Sequence, residues 1–146
     1  AVCHRTREVG TEETRGMSAF KEIETGSPYH EGWPYSEAVR AGDFIFVAGI
    51  GPEDDKTGEM RGETVEEQTR LIFEKIDRIL GHGGAELRDV CRVSVHLRDI
   101  EDFQAFSDTF AEIFSWKPKP TRVTTQAGLY PGLLIEVECT AYKPVP

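Results

Sequence analysis

Two helix-forming segments limit what this chain can fold into. The first begins at Thr64-Val65-Glu66-Glu67, a capping box, and ends at the glycines from Gly81 onward. Its apolar residues recur at helical spacing and form one stripe: Val65, Ile72, Phe73, Ile76, Ile79 and Leu80. The second segment covers about 102–114, and its stripe consists of Phe103, Phe106, Phe110, Ile113 and Phe114. Both stripes are typical of helices that pack on a sheet.

The segments around these helices alternate as strands do. Runs at 35–40 and 44–48 flank Ala41-Gly42-Asp43, which predicts a tight hairpin turn, and a second turn is predicted at 54–58. Residues 90–97 and 133–142 also alternate, and their helix-facing positions are expected to be Cys91, Val93, Val95, Leu97, Leu133, Ile135, Val137, Cys139 and Ala141. The predicted order is β-β-(β)-α-β-α-β-β, a mixed sheet in an α+β fold. Because two helices cover only one face, we expect the other face, with His96 and Tyr142, to pack against another copy.

Length and charge restrict the possible partners. The chain has 146 residues, enough for one domain. We assign residues 21–146 to that domain and residues 1–20, which are polar and aperiodic, to a flexible extension that does not resemble a signal peptide. The net charge of −9 argues against nucleic-acid and anionic-membrane partners. No apolar run is long enough for a transmembrane helix.

The cysteines indicate the redox compartment, and the histidines bear on whether the chain binds a metal. The three cysteines are Cys3, Cys91 and Cys139, an odd number without a CxxC pair, which indicates a reducing, cytoplasmic compartment. Cys91 and Cys139 are expected to act as small apolar residues within strands. The four histidines have no metal-ligand spacing, so we do not predict a metal site.

Arg122 and Glu136 are the strongest candidates for chemistry. Arg122 lies in Pro120-Thr121-Arg122, which leads into a strand, and an arginine at a sheet edge can bind a small carboxylate through two parallel hydrogen bonds. Glu136 lies on the next strand and could hold a water beside such an acid. Taken alone, the two residues are a weak signal, because most Arg/Glu pairs in β proteins are surface ion pairs.

Seven short stretches in register resemble the RidA/YjgF family of enamine and imine deaminases. The likeness covers about Ser27 to Lys143. The matching stretches are Pro34-Tyr35-Ser36-Glu37-Ala38-Val39, Val47-Ala48-Gly49, Lys56-Thr57-Gly58-Glu59, Glu67-Gln68-Thr69-Arg70, Asp99-Ile100-Glu101-Asp102-Phe103, Pro120-Thr121-Arg122 and Ile135-Glu136-Val137-Glu138. The resemblance implies a chorismate-mutase-like fold that assembles as a homotrimer around a barrel of three sheets, with active sites between subunits.

The resemblance also implies an activity. It is the cofactor-independent hydrolysis of reactive enamines and imines, of the 2-aminoacrylate, 2-iminobutanoate and 2-iminopropanoate type, to 2-keto acids and ammonia. Arg122 matches the residue that binds the substrate carboxylate, and Glu136 the residue that orients the attacking water. Tyr35 and Gly49 match pocket positions, while Ser107 and Thr124 stand at two further substrate-binding positions. The register favours Glu136 over Glu138, two residues later on the same face.

Five departures from the family pattern affect substrate choice. They are Trp33 for glycine, Ala48 for serine, Ile50 for glutamine, Ser107 for asparagine and Thr124 for cysteine. Together they predict a more apolar and bulkier pocket. Three alternatives to the small-imine deaminase stay open. The first is a non-catalytic module that binds small carboxylates, and the second is a ribonuclease or translation inhibitor, which the acidic charge disfavours. The third is a deaminase that acts on a larger aminated ring-cleavage product, which the Ala48 and Ile50 changes would admit.

Overall fold

A single six-stranded sheet with two helices organises the part of the chain that the structure describes. The computed structural model describes residues 19–146. The strands are β1 Lys21–Glu22, β2 Ala38–Ala41, β3 Phe44–Ile50, β4 Val90–Leu97, β5 Thr121–Gln126 and β6 Ile135–Tyr142. The helices are α1 Val65–His82 and α2 Phe103–Ile113. The predicted α+β class, with one mixed sheet and two helices, is therefore confirmed.

The strand order, β1-β2-β3-β6-β4-β5, makes β6 central and β5 an edge strand. Only β4 and β5 run parallel; the other neighbours are antiparallel. The β2–β3 hairpin turns at Gly42 and Asp43, as predicted, and Gly42 has the positive φ of 57° that favours glycine. The connection from β4 to β5 runs through α2, and such a long crossover allows β5 to lie parallel to β4.

Helix α1 begins at the predicted cap, with one difference in its hydrogen bonds. The Thr64 hydroxyl accepts from the Glu67 amide at 3.2 Å, as a capping box requires. The Glu67 carboxylate, however, accepts from the amide of Glu63 at 2.7 Å, one residue before the cap. Both helices pack on one face of the sheet, where the rings of Phe73, Phe110 and Phe114 meet edge-on or stacked.

Strand β6 shows the predicted alternation most clearly. Its buried side chains join the core beneath the helices: Ile135, Val137, Cys139 and Ala141. Glu136 is half-buried on the opposite face, which we call the open face, and Glu138 and Tyr142 are exposed there. The strand begins at Ile135, two residues later than expected, because residues 130–133 form a turn closed by the Leu133 amide and the Tyr130 carbonyl.

The expectation for Cys91 was wrong. Its register with β6 shifts between Val90 and Arg92, so Val90 is buried and Cys91 is exposed. The bulge offsets the alternation at the start of β4 by one residue. The Cys91 thiol contacts the Thr140 carbonyl at 3.4 Å, while Cys139 is buried as expected.

The open face carries apolar side chains that no element within residues 19–146 covers. Phe44, Phe46 and Tyr142 form a cluster in which the ring centroids of Phe44 and Tyr142 lie 5.2 Å apart. Val123 on β5 is also about half exposed. The predicted flexible extension, residues 1–20, lies almost entirely outside the described residues and stays a prediction. Within the described range, neither helix has the combination of length and apolar character that a bilayer crossing needs.

Candidate functional site

Three of the predicted site residues meet where β3 and β6 run side by side on the open face. Tyr35, Gly49 and Glu136 line a cavity of about 300 Å³ that extends from the sheet towards α1. The same three residues border a shallower groove that continues over the open face to Ala48, His96 and Glu138. Together they form one cleft with a deep part and an open part.

Glu136 is the chemically most distinctive group in this cleft. Among residues 19–146, its carboxylate accepts no hydrogen bond and forms no ion pair, although the side chain is half-buried. Burial raises the pKa of Glu136; the charge of His96 opposes this change, and Glu53 and Glu138 add to it. A desolvated carboxylate without a partner can accept a proton from a water at the same place.

Gly49 allows the backbone of β3 to approach this carboxylate closely. A Cβ at position 49 would lie 3.1 Å from Cδ and 3.2 Å from Oε1 of Glu136. The position therefore favours glycine for space; its φ is not in the left-handed region.

Tyr35 presents its hydroxyl to the same cleft. Burial raises the pKa of Tyr35, and the negative charge of Glu136 raises it further. The hydroxyl therefore keeps its proton at neutral pH and can donate a hydrogen bond to a ligand.

Arg122 lies elsewhere, on the helix side of edge strand β5. Its guanidinium packs over the rings of Phe103, Phe106 and Phe110, with centroid distances of 5.6, 5.0 and 4.8 Å. It donates one hydrogen bond, to the Ser107 hydroxyl at 3.3 Å. Burial lowers the pKa of Arg122 from its usual range, yet an arginine stays charged at neutral pH. Within residues 19–146, no carboxylate forms an ion pair with it.

The sheet register places Arg122 and Glu136 on opposite faces. Arg122 pairs with Val93, and Glu136 pairs with His96, three residues further along β4. Side chains alternate between faces, so pairs three residues apart point in opposite directions. The two positions are also roughly 10 Å apart across the sheet and roughly 10 Å apart along it. One chain therefore does not bring the two predicted catalytic residues together.

The six predicted site residues thus fall into two groups. Tyr35, Gly49 and Glu136 belong to the cleft on the open face. Ser107 contacts Arg122, and Thr124 lies two residues from Arg122 on the same face of β5. Of the alternatives on β6, Glu136 lies in both parts of the cleft, whereas Glu138 is exposed and borders only the open groove.

Sequence reasoning missed the aromatic wall of the deep cavity. Tyr29, Trp33 and Tyr35 contact one another edge-to-face, with 5.3 Å between successive ring centroids. Tyr130, from the turn before β6, lines the cavity together with them. The density of aromatic residues between Pro28 and Tyr35 is the signal in the sequence, whereas the family pattern points only to Trp33 and Tyr35.

A buried lysine was also missed. Lys75 lines the cavity with only 2% of its side chain exposed, and its ammonium contacts the Glu53 carbonyl at 2.8 Å and Asp55 Oδ1 at 3.2 Å. Burial lowers the pKa of Lys75, and Glu53 opposes this change. Its spacing from Ile72 and Ile79 places it on the apolar stripe, so the helical pattern itself could have located it.

Two polar side chains fix the turn that carries Tyr130. The Gln68 amide donates to the carbonyls of Gly62 and Gly132 and accepts from the Leu134 amide. Arg98 donates to the carbonyls of Leu129, Tyr130 and Leu133 at 2.6–3.1 Å. Because these bonds satisfy backbone groups of the turn, its shape is set before any ligand binds.

One group of side chains has the composition of a metal site. His30, Glu37 and Asp55 place ligand atoms within 4.8 Å of one another, although they are far apart in sequence, which is why histidine spacing did not reveal the group. Both carboxylates already have partners: Asp55 pairs with Lys75 and Arg78, and Glu37 accepts from the Thr25 hydroxyl. We therefore interpret the group as part of an internal ion-pair network.

Comparison with known proteins agrees with this architecture. Residues 28–143 match the family model described as Endoribonuclease L-PSP. A RutC family protein of Pyrococcus horikoshii is 43% identical over 111 residues, which cover 75% of this chain and 87% of the relative. The chloroplastic Reactive Intermediate Deaminase A of Arabidopsis thaliana is 33% identical over 109 residues, covering 74% of this chain and 58% of the relative. The crystal structure of a Rid family protein from Yersinia pestis superposes with a TM-score of 0.79 at 26% identity, covering 85% and 99% of the two chains.

Proposed function

The chain belongs to the Endoribonuclease L-PSP family, which includes the RidA deaminases, and from that premise we propose that it hydrolyses 2-imino acids to 2-keto acids and ammonia. The observation that carries the proposal is Glu136, a half-buried carboxylate with a raised pKa and no hydrogen-bond partner among residues 19–146. A relative at 33% identity is named a reactive intermediate deaminase. Such a reaction requires a base beside a water and little else, because the imine carbon is already electrophilic.

The residues of the cleft suit each step of this reaction. A water held by Glu136 adds to the imine carbon while the carboxylate accepts its proton. That proton passes to the nitrogen and gives a carbinolamine. The hydroxyl proton then moves to the same nitrogen, the carbon–nitrogen bond breaks as the carbonyl forms, and ammonia leaves a 2-keto acid. The Tyr35 hydroxyl, which stays protonated, can donate to the substrate during these steps.

Arg122 is proposed to bind the substrate carboxylate in a site completed by a second copy of the chain. Its guanidinium has no carboxylate partner within the described residues and lies on an edge strand. Since it lies on the face opposite Glu136 in the same chain, a shared substrate would need Arg122 from one copy and Glu136 from the next. Two parallel charged hydrogen bonds to a carboxylate are a geometry that arginine provides and lysine does not.

The proposed assembly is a homotrimer of chorismate-mutase-like subunits around a central barrel. The exposed cluster of Phe44, Phe46 and Tyr142 on the open face supports contact with another copy. The number three is taken from the family resemblance. We also propose a cytoplasmic location, because the described thiols, Cys91 and Cys139, are both free.

Mixing two inactive variants tests both the activity and the shared site. We expect Arg122→Ala and Glu136→Ala each to lose turnover of 2-aminoacrylate, measured by trapping residual imine with semicarbazide. Co-expressed in equal amounts, the two variants would restore roughly a quarter of the sites, because each shared site needs one intact copy of each residue. Variants mixed as preformed oligomers, without exchange of subunits, serve as the control.

The possible outcomes separate the hypotheses. Loss of activity without restoration in mixed oligomers would show that each site lies within one chain. If the wild type does not accelerate imine loss but binds 2-keto acids through Arg122, the chain is a carboxylate-binding module.

A second candidate follows from the family's description as an endoribonuclease. The net charge of −9 opposes it, because RNA binding depends on neutralising phosphates with basic residues. RNA cleavage by purified protein that Glu136→Ala abolishes would favour this candidate over the deaminase.

A further inference from the structure

The deep cavity beside Glu136 is larger than a small imino acid requires. Its volume of about 300 Å³ lies at the lower limit of pockets that hold drug-sized ligands, which span roughly 300–1,000 Å³. At about 30 Å³ per water in the liquid, it accommodates on the order of ten water-sized groups. A 2-imino acid with a methyl side chain would leave roughly half of that space to water.

The walls of the cavity are suited to a flat ring. Trp33 and Tyr35 meet at an interplanar angle of 86°, and Tyr29 meets Trp33 at 61°. Trp33 is 40% exposed and Tyr130 is 76% exposed, although both line the cavity, so their ring surfaces are available to a ligand. Aromatic rings gain energy from edge-to-face or offset contacts in addition to their burial.

These walls are held in place before a ligand arrives. The Tyr29 amide donates to the Asp55 carbonyl at 3.0 Å, and the Trp33 amide donates to the His30 carbonyl at 3.1 Å. The Tyr29 ring also lies so close to Gly58 that a Cβ there would be 2.3 Å from the ring. Arg98 fixes the turn of Tyr130 on the opposite side. A preformed wall lowers the entropy cost of binding.

The charges of the cavity select against charged side chains. Glu53 and Asp55 face the buried ammonium of Lys75, at 3.8 and 3.2 Å, so neither carboxylate is free to pair with a cationic substrate. In the proposed reaction Glu136 binds the water and is not available to a cationic side chain, and its charge, which no ion pair within residues 19–146 neutralises, would repel an anionic one. The remaining choice is a neutral side chain, and the aromatic wall favours a ring over an aliphatic group.

From this geometry we infer that the preferred substrates are 2-imino acids with an aromatic side chain, whose ring lies between Trp33 and Tyr130 while the imine carbon faces Glu136. The inference rests on the proposed function and adds the class of side chain. One water is consumed: its oxygen becomes the keto oxygen, and the imine nitrogen leaves as ammonia. No oxidant or reductant takes part.

The experiment compares four imines formed in place. L-Amino-acid oxidase generates them from phenylalanine, leucine and arginine, D-amino-acid oxidase generates the methyl imine from D-alanine, and catalase removes the peroxide. Semicarbazide traps the residual imine, which gives kcat/KM for each. We expect the aromatic imine to exceed the methyl imine by at least tenfold.

Two cavity variants then test the location. Trp33→Ala and Tyr130→Ala are each expected to lower the ratio of aromatic to methyl kcat/KM by at least threefold, since one ring contact corresponds to about 2–10-fold. Tyr130 is on an exposed turn, so its variant is informative even if Trp33→Ala folds poorly. Ile100→Ala is the matched control, because Ile100 is an exposed apolar residue that does not line the cavity and should leave the ratio unchanged.

The outcomes distinguish this inference from the proposed function. If the methyl, leucine-derived or arginine-derived imine is turned over as fast as the phenylalanine-derived imine or faster, the aromatic preference is overturned, and the proposed deaminase activity stands. An aromatic preference that neither cavity variant reduces overturns the assignment to this cavity. If no imine disappears faster with the protein, the proposed function itself fails.

Discussion

The face of the sheet beneath the helices is filled with apolar side chains, whereas the open face carries acidic, polar and aromatic ones. Strand β6 contributes to both: Val137 and Cys139 are buried on the first, and Glu136 and Glu138 lie on the second. Around β6, the first face is packed within one chain. The second has an exposed aromatic cluster and a carboxylate without a partner in the described residues, as expected of a surface that binds other molecules.

This difference indicates that the property a substitution alters, stability or turnover, depends on which face of the sheet carries the residue. Changes beneath the helices are expected to alter stability, since those side chains contact only the chain's own core. Changes at the cleft are expected to alter turnover, and there a substitution that removes a desolvated charge can even stabilise the fold. Four substitutions test this separation, beginning with the largest expected effect.

Glu136→Gln should reduce kcat/KM by about 10²–10⁴-fold, the usual contribution of a general base. In the proposed mechanism the carboxylate must be ionised, and burial raises its pKa, so the wild-type rate should fall on acidification at a pH above the ordinary glutamate value of 4.5. A pH profile of kcat/KM between pH 4 and pH 8 measures both effects.

The same variant should not lose stability at neutral pH. Because the folded pKa of Glu136 is raised, its stabilising contribution is present below the unfolded pKa and is lost as pH rises through the folded pKa. Glu136→Gln is therefore expected to match the wild type in urea unfolding at low pH and to equal or exceed it at pH 7. If Glu136→Gln were less stable than the wild type at pH 7, the raised pKa of Glu136 would be contradicted.

Phe73→Ala and Phe46→Ala form a matched pair across the sheet. Phe73 is buried against the rings of Phe110 and Phe114, so its truncation should lower the free energy of unfolding by about 3–5 kcal/mol. Phe46 is 46% exposed on the open face, and its truncation should mainly weaken self-association. Urea unfolding and sedimentation at two protein concentrations separate the effects; an unchanged oligomer in Phe46→Ala would place the interface elsewhere.

Gly49→Ala should have the smallest effect. The added methyl would lie 3.1 Å from Cδ of Glu136, so the carboxylate must move by a few tenths of an ångström. We expect a loss of several-fold in kcat/KM with little change in stability, since misplaced catalytic groups cost rate. Gly81→Ala, at a position with open space for a Cβ, is the control; a similar loss there would show that the effect is not specific to the cleft.

Local sequence signals predicted the helices and strands. They did not predict the bulge at the start of β4 or the contacts that the loops make. The caps and stripes located α1 and α2, and alternation located β4 and β6, because these patterns depend on neighbours in sequence. The predicted orientation of Cys91 was wrong because the one-residue bulge arises from the pairing of β4 with β6. The sequence pattern of β4 alone does not indicate it.

The candidate site was predicted in part for a similar reason. The resemblance identified Tyr35, Gly49 and Glu136, which the structure brings together. It did not identify Lys75 as buried or Tyr130 as a cavity residue, because both depend on contacts between distant segments: Lys75 with Asp55, and the Tyr130 turn with Arg98. That Arg122 and Glu136 lie on opposite faces required the register of three strands.

The central position of β6 also limits how this chain can change over evolution or in the laboratory. Since successive residues serve the core and the cleft in turn, inserting or deleting one residue just before Glu136 would shift its pairing by one and place it among the apolar side chains. Substitutions can alter the cleft one position at a time, but length changes in this strand cannot. New substrate specificity is therefore more accessible through the segment 28–35 and the turn at 130–133, which form the cavity wall outside the sheet. Because these two segments pair with no strand, their lengths can change without shifting a strand register.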